Sequence, residues 1–397
     1  MKHCLFIYLA FLCLLLYIAT CHAQRELYDH LFTNHSTVVR PVANVVSPVN
    51  VTVGFGLIIL ENHDERRQVF ISQGVLTVAW KDETLAWSKR DFNVSRIIVP
   101  ASALWVPDLV ILNDVNNNGH VTTDGIRVVL HYTGDVMFSV GGRRETYCRI
   151  DVTEFPFDTQ RCQIRFGQWA SINSEVRVTP ASSNIDLSDY VGNNGEYTIV
   201  HTNVETVTPE LSNQTELRFC VTFTRKSLYY IQLCVLPVIL LSVLNLAVFL
   251  VPSESGEKMT LGISVFLSYA VFLTIIHGFL PEISDTISLY GIYLSIMVCL
   301  KVLTLLLSVA VLNMHHSKSQ QPPPSWIMKC RLLLRCRRMS WHLAPETVID
   351  PDDSAKLKAV HTQSWQDAAL TLDRMLFFIF STVTFTVTAV FFYGLTK

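Results

Sequence analysis

The chain has 397 residues, half of them hydrophobic and 16% charged, with a formal net charge of -2. Soluble proteins have about 25% charged residues, so this composition indicates membrane segments. The small net charge gives no argument for a nucleic-acid or acidic partner, and we expect no nucleic acid among the partners. Because the sequence contains no Walker loop, GxSxG elbow or HExxH helix, we predict no enzymatic activity, no cofactor and no metal site.

The chain begins with a short apolar segment. Residues 1–23 combine a basic start, an apolar stretch and small residues near Ala23 that suit cleavage. This pattern predicts a secretory signal peptide that is removed from the mature protein. An uncleaved membrane anchor is the alternative.

Residues 24–226 have mixed polarity and are predicted to form an extracellular domain of β-strands. Apolar and polar residues alternate in four segments, at 69–80, 126–132, 135–140 and 216–225. Such alternation is typical of strands with one buried face. We therefore predict a sandwich or barrel of antiparallel strands.

The same region carries candidate sites of covalent modification. Four N-x-S/T sequons fit an extracellular location, at Asn34, Asn50, Asn93 and Asn213. The region also has three cysteines, and an oxidising compartment favours a bridge between Cys148 and Cys162, with Cys220 left over.

Four later segments are long enough to cross a bilayer as helices: 228–251, 259–280, 287–314 and 375–395. We assign residues 227–314 to the first three spans, 315–374 to a connection, and 375–397 to the fourth span and the C-terminus. The connection carries eight lysines and arginines between Lys318 and Lys358, whereas the link between spans two and three has none. The connection is therefore predicted to be cytoplasmic, with both termini extracellular in a multi-pass plasma-membrane protein.

Several motifs resemble those of one receptor family. The segment CRIDVTEFPFDTQRC (148–162) resembles the signature loop of Cys-loop receptors, the pentameric ligand-gated ion channels. Similar motifs follow in WVPD (105–108), FGQWA (166–170) and SGEKMTLGISVFLS (255–268). The chain looks most like the nicotinic and serotonin-type cation channels. The resemblance implies an extracellular β-sandwich followed by four transmembrane helices, in a ring of five subunits.

The second span has a polar stripe with helical spacing. Its members are separated by three or four positions and share one face: Glu257, Thr260, Ser264, Leu267, Val271, Thr274 and Gly278. Hydroxyl groups in a membrane helix can simply bond back to their own backbone. Three hydroxyls and a carboxylate in one line instead indicate contact with water, so we predict that this stripe lines a pore.

The stripe also suggests selectivity and gating. Five copies of Glu257 would form a carboxylate ring that favours monovalent cations, and a ring of Leu267 would close the pore by dewetting. Lys258 lies about 100° round the helix and is expected to face away from the pore. An anion-selective channel of the same fold and a non-conducting membrane receptor are the alternatives.

The resemblance also implies a site for a small-molecule agonist between neighbouring outer domains. Trp169 matches the central tryptophan of the family's aromatic box, which often holds a cationic amine by cation-π attraction. Leu112 and Val75 stand where the family has aromatic residues, and the segment 201–217 contains no Phe, Tyr or Trp. We therefore expect acetylcholine to be a poor agonist. The remaining predicted pocket residues are Met137, Ser139, Tyr190, Glu205 and Glu210.

By the same resemblance, a coupling region transmits binding to the pore. Phe155, Pro156 and Phe157 are expected to lie at the membrane surface. They would rest against the loop that joins spans two and three, and that loop contains Pro281. Arg225 is expected to pair with carboxylates of the outer domain, although an arginine there can also be a simple membrane-edge anchor.

Two further features lie in the membrane and the connection. Lys301 is near the middle of the third span, and ionisable residues in that position are functional candidates. The segment 322–341 is basic and amphipathic, which suits contact with anionic membrane lipids. We expect four further subunits as partners, identical or different.

Overall fold

The computed structural model describes residues 24–116, 119–192, 194–209, 213–278, 287–317, 327 and 354–395, with only the backbone described for 354–363. The predicted signal peptide, Glu210, Pro281 and the segment 322–341 apart from Ile327 lie outside these residues. The chain divides into two compact units, Met1–Ile150 with Thr159–Arg225, and Asp151–Asp158 with Lys226–Lys397.

Among its described residues, the first unit has a short helix, α1 (24–32), a second short helix, α2 (Lys89–Phe92), and ten strands. In chain order the strands are β1 (Val49–Asp64), β2 (Val69–Lys81), β3 (Arg96–Pro100), β4 (Leu109–Ile111), β5 (Arg127–His131), β6 (Asp135–Tyr147), β7 (Thr159–Gln168), β8 (Val176–Pro180), β9 (Tyr197–Val207) and β10 (Glu216–Arg225).

The strands form two sheets, and this confirms the predicted β-sandwich. One sheet has six strands in the order β3-β5-β6-β2-β1-β8, and the other has four in the order β4-β7-β10-β9. All pairs are antiparallel except β1 with β8. The core lies between the sheets because each strand turns alternate apolar residues inward, as Leu217, Phe219, Val221 and Phe223 of β10 do.

All four segments with predicted strand periodicity are strands. The third is longer than predicted, because β6 continues through Gly141 and Gly142 to Tyr147 while paired with β2. Glycine has low strand propensity, so the sequence pattern stops there although the ladder of hydrogen bonds does not.

The second unit contains four helices that are long and apolar enough to cross a membrane: α3 (Leu228–Ala247), α4 (Lys258–His277), α5 (Leu289–His315) and α6 (Ser354–Leu395). In α3, residues Ile231–Val235 form a wider π-type turn just before Pro237. Proline has no N–H to continue the regular helical bonds, and a π turn is one way in which a helix accommodates it.

Helix α6 begins at Ser354, well before the predicted start of the fourth span at Met375. Residues 354–374 include many Ala, Leu, Lys and Gln, which are strong helix formers but do not raise hydropathy enough to mark a span. The helix therefore continues past the apolar segment that hydropathy detects. Its N-terminal half packs against α5 and the segment just after α3 through a cluster that contains Phe249, Val311, Ala369, Leu376 and Phe380.

Candidate functional site

The predicted pore stripe lies on the exposed face of α4. All seven of its residues are exposed on the isolated chain, from Glu257 before the first turn to Gly278 after the last. The buried residues of the same helix are Lys258, Gly262, Val265, Tyr269 and Ile276. At 100° per residue the two sets are about 180° apart, so the helix is fixed with the stripe turned away from its own bundle.

The buried face of α4 packs closely on α5. A Cβ atom on Gly262 would lie 2.7 Å from the side chain of Leu305, so glycine permits the close approach at this point. Higher on the helix, the Tyr269 hydroxyl donates to the carbonyl oxygen of Leu294 at 3.2 Å. These contacts set the rotation of α4 and hence the direction of the stripe.

Two of the three hydroxyl groups of the stripe bond to their own helix. Ser264 donates to the carbonyl of Thr260 at 2.7 Å, and Thr274 donates to that of Val271 at 2.6 Å. This is the alternative role considered for such hydroxyls in a membrane. Because each hydroxyl oxygen is still an acceptor with two lone pairs and both side chains are exposed, the groups satisfy the backbone and also present acceptors outward.

Lys301 of α5 contacts the buried face of α4. Its Nζ atom lies 4.2 Å from the centre of the Tyr269 ring and 3.4 Å from the hydroxyl oxygen of Ser242 in α3. The lysine is buried, and the cation-π contact and the hydroxyl are the polar contacts observed at its head group. Lys301 therefore links three helices behind the stripe.

Trp169, the central residue of the predicted ligand site, follows β7 and is 64% exposed. The hydrogen bonds that hold its loop include one from Ala170 N–H to the Asp108 carboxylate at 2.9 Å and one from the Gln214 amide to the Trp169 carbonyl at 3.3 Å. His120 packs edge-on against the indole at 6.1 Å, and its Nδ1 is 3.9 Å from Asp108.

The sequence did not single out His120, because it lies in a turn-rich segment without periodicity. Next to it is a cavity of about 220 Å³ whose lining includes Asp114, His120, Arg143 and Arg144. Burial lowers the pKa of Arg144, although the charge of Asp114 opposes this. The surroundings of Trp169 thus include charged groups as well as an aromatic ring.

The other predicted ligand residues form separate groups. Val75, Met137 and Ser139 lie together on the paired strands β2 and β6, where Ser139 contacts the Thr77 hydroxyl at 3.1 Å. Leu112 directly follows β4 of the other sheet, and its partly exposed side chain lies next to Gly167. The two groups are therefore associated with different sheets.

Two predicted residues of the ligand pocket have partners elsewhere in the outer domain. Glu205 of β9 accepts hydrogen bonds from Arg161 at 2.5 Å and from Asn203 at 3.0 Å. Tyr190, in the connection before β9, is half-buried, and burial raises the pKa of its hydroxyl. The structure does not bring either of them into contact with Trp169.

The predicted coupling residues have contacts within each unit. In the second unit Phe155 is buried between Tyr230 of α3 and Tyr290 of α5, at ring distances of 5.3 and 6.0 Å. Pro156 is buried and Phe157 is partly exposed. Leu289, at the start of α5, donates its N–H to the carbonyl of Thr153 at 3.0 Å. The signature loop therefore contacts the ends of two membrane helices directly.

In the first unit, Arg225 is an internal ion-pair residue. Its guanidinium pairs with Glu65, lies 3.9 Å from Glu196, and covers the ring of Tyr197 at 5.3 Å. The side chain is almost fully buried, so it is more than an exposed anchor at a membrane edge. The expected pairing with carboxylates of the outer domain is present.

The predicted covalent features are in suitable positions. Cys148 and Cys162 form the disulfide bond that was expected, and Cys220 is a free, buried thiol whose pKa burial raises. The four sequon asparagines, Asn34, Asn50, Asn93 and Asn213, are all exposed. A glycan can therefore reach each of them without disturbing the core.

Two parts of the chain match known protein families. Residues 24–227 match the neurotransmitter-gated ion-channel ligand binding domain, and residues 234–359 match the neurotransmitter-gated ion-channel transmembrane region. Together the two matches cover most of the chain.

Curated relatives are receptor subunits. The chain is 35% identical over 318 residues to acetylcholine receptor subunit alpha-1-B of Xenopus laevis, covering 78% of this chain and 69% of the relative. It is 33% identical over 350 residues to neuronal acetylcholine receptor subunit alpha-2 of Mus musculus, covering 87% and 68%. It is 34% identical over 317 residues to acetylcholine receptor subunit alpha of Danio rerio, covering 77% and 68%.

Proposed function

Because the chain belongs to the neurotransmitter-gated ion-channel family, we propose that it is a subunit of a pentameric, cation-selective channel in the plasma membrane. An extracellular small molecule opens the channel by binding between outer domains. The family consists of ligand-gated channels and is not an enzyme family. The single observation that carries the proposed pore is the exposed stripe on α4, opposite the face that packs on the bundle.

The stripe supports a water-filled conduction path made by several copies of α4. An exposed helix face in a membrane protein meets either lipid or another subunit. Lipid would disfavour the carboxylate of Glu257 and the line of hydroxyls, whereas a pore wall suits both. Rings of Leu267 and Val271 form the narrow apolar section, and Leu267 is the proposed gate.

The charge of the stripe supports selection of monovalent cations. Glu257 is exposed at the beginning of α4, and five copies would concentrate negative charge at one mouth of the pore. The basic residues of the connection support a cytoplasmic position for that mouth and an extracellular position for both termini. Anion selectivity is the competing outcome for the same fold.

The ligand site is proposed to lie between subunits. One face contributes Trp169 and Leu112, and the other contributes Val75, Met137 and Ser139. The relatives are acetylcholine receptor subunits, but the aromatic residues that hold a quaternary amine by cation-π attraction are reduced here to Trp169. We therefore propose that the agonist is another small molecule, or that a different subunit completes the box.

Coupling is proposed to pass through the signature loop. Phe155 contacts the beginning of α3 and of α5, so a displacement of this loop would move helices that pack around the pore helix. Pro281 belongs to the proposed coupling region by its place between the second and third spans.

The proposal can be tested without a known agonist. The variant Leu267→Ser places a hydroxyl at the proposed gate, where a polar ring should stay hydrated and conduct continuously. Sodium and chloride gradients are exchanged separately while membrane current is recorded from cells with confirmed surface expression. The matched control is Leu306→Ser, because Leu306 lies on α5 with 63% exposure against 62% for Leu267.

We expect a standing current in Leu267→Ser that follows the sodium gradient, and none in Leu306→Ser. A current that follows the chloride gradient would show that the channel selects anions, which is the alternative to cation selectivity. Silence at the surface, both alone and with candidate partner subunits, would support the non-conducting receptor and contradict the proposed channel.

A further inference from the structure

A positively charged residue is buried at the beginning of the proposed pore helix. Lys258 is the first residue of α4 and follows Glu257 directly, yet its side chain is completely buried. An ammonium group removed from water is costly unless it is paired. The position adds to the cost, because the first turn of a helix carries the positive end of the helix dipole.

The partner of Lys258 is Asp373 of α6. The lysine Nζ donates a hydrogen bond to the Asp373 carboxylate, which is only 3% exposed. Around this pair lie His315, buried at the end of α5, and Glu254, which precedes α4 and is exposed. His315 Nε2 is 4.0 Å from the Glu254 carboxylate. The beginning of the proposed pore helix is therefore joined electrostatically to α6.

This pairing changes the charge that the pore mouth presents. Each subunit has one negative charge at Glu257 and one positive charge at Lys258, which would cancel if both faced the same water. Asp373 neutralises Lys258 inside the bundle, on the side of α4 opposite the stripe. The exposed carboxylate of Glu257 is then left without local compensation.

We infer that Asp373 is a specificity-determining residue of the channel, which sets cation conductance by pairing with Lys258 inside each subunit although it lies outside the pore-lining stripe. This inference rests on the proposed function of the α4 stripe. It assigns a role in ion selection to the fourth membrane helix, in addition to its packing.

A purely structural role for the pair predicts a change in surface expression and not in the current through each open channel. A buried ion pair is a weak source of stability, since apolar or neutral replacements of both partners are often neutral or stabilising. Removing only the carboxylate leaves the ammonium of Lys258 unpaired, and in the proposed role it turns toward water beside Glu257. A structural role would change surface expression, whereas the proposed role changes the current through each open channel.

The test uses the full chain in the Leu267→Ser background, with single-channel sodium conductance and the sodium-to-chloride permeability ratio as readouts. Asp373→Asn is expected to lower both by about threefold or more, because the freed lysine charge offsets Glu257. The double variant Lys258→Met, Asp373→Asn removes both charges and is expected to recover both values to within about 1.5-fold. Asp367→Asn, six residues earlier on α6, serves as a control with the same change in charge.

Unchanged conductance and permeability in Asp373→Asn at the surface would overturn the inference, as would a double variant no better than the single one. If Asp373→Asn does not reach the surface, the exchanged variant Lys258→Asp, Asp373→Lys decides the question. It keeps one internal pair, so native conductance supports the inference, and a threefold loss overturns it. Absence of sodium current in Leu267→Ser itself would instead contradict the proposed function and the inference together.

Discussion

The candidate pore surface and the candidate ligand site differ in how much of each a single chain contains. Five residues of the pore stripe lie on α4, Glu257 and Gly278 flank it directly, and all seven are exposed in one direction. The predicted ligand residues that the structure describes lie on strands of both sheets and on loops, in separate groups. The rotation of one helix fixes the first surface. The second depends on strand register, on loop conformation and on a neighbouring subunit, so one chain supplies only its parts.

The largest effect is expected where a buried charge stabilises the outer domain itself. The change Arg225→Gln leaves the carboxylates of Glu65 and Glu196 without the guanidinium they pair with, and breaking such a buried pair costs about 3–5 kcal/mol. We expect a loss of most folded receptor, measured by surface labelling and by the melting temperature of the detergent-solubilised protein.

Arg161→Gln is the matched control for Arg225→Gln. Arg161 also pairs with a glutamate, Glu205, but its side chain is 53% exposed. Exposed pairs contribute about 0–1 kcal/mol, so this variant should express nearly normally. Equal losses in the two variants would contradict the distinction between buried and exposed pairs.

The second-largest effect is expected at the mouth of the proposed pore, in the sodium-to-chloride permeability ratio. Glu257→Lys in the Leu267→Ser background reverses the charge of the exposed ring, so we expect the sodium-to-chloride permeability ratio to fall by about tenfold or more. The measurement is the reversal potential under dilution of external salt. Glu254→Gln, outside the stripe, should change the ratio by less than about twofold. A ratio insensitive to Glu257 would remove this residue from the selectivity filter.

A smaller effect is expected from restoring the ligand site. We expect wild-type receptor to respond to acetylcholine only at about millimolar concentration or not at all. Each aromatic ring placed over a bound cation contributes about 0.5–2 kcal/mol. The double variant Val75→Trp, Leu112→Tyr should therefore lower the half-activating concentration by about tenfold or more, measured as whole-cell current.

The control for the restored site is Val46→Trp, which adds an aromatic ring at a position that is 85% exposed and outside the predicted site. It should leave the response unchanged. Activation of the wild type at nanomolar to micromolar acetylcholine would refute the expectation of a weak agonist.

The smallest effect concerns pH and the stability of the outer domain. Burial on its own raises the pKa of Glu216, but hydrogen bonds from Arg165 and Arg218 outweigh it, so the pKa lies below 4.5. The carboxylate therefore stabilises the fold above pH 4.5, and this contribution is lost as the pH falls through its lowered pKa. We expect melting temperatures between pH 7 and 3.5 to fall less steeply in Glu216→Gln than in the wild type. Parallel curves would contradict this role of Glu216.

The parts of the fold that the sequence predicts are those with a regular period or an unambiguous motif. Four strands, four membrane helices and the Cys148 to Cys162 bridge follow from alternation, hydropathy and the signature loop. The start of α6 does not, because a helix can continue beyond its apolar segment without any change in periodicity. The second half of β6 is likewise not predicted, because Gly141 and Gly142 interrupt the alternation. Cross-strand pairing rather than propensity keeps these glycines in the sheet.

The contacts of the candidate sites were less predictable than their positions. The rotational angle of Lys258 follows from helical geometry, but its partner Asp373 is 115 positions away in the sequence, and no local pattern connects them. The same holds for His120 beside Trp169 and for Tyr269 beneath Lys301. Long-range packing determines these pairs, and a single sequence contains little local information about it.

The most direct test of the central claim is a cysteine scan of α4 in the Leu267→Ser background. Single cysteines are placed on the stripe at Thr260, Ser264, Val271 and Thr274, and on the buried face at Val265 and Tyr269. A cationic thiol reagent is applied during recording, with the parent variant as the reference for native cysteines. We predict that modification reduces the standing sodium current by more than about half at the stripe positions and by less than about a tenth at the buried ones. Equal modification of both faces, or none on the stripe, would contradict a pore lined by this face of α4.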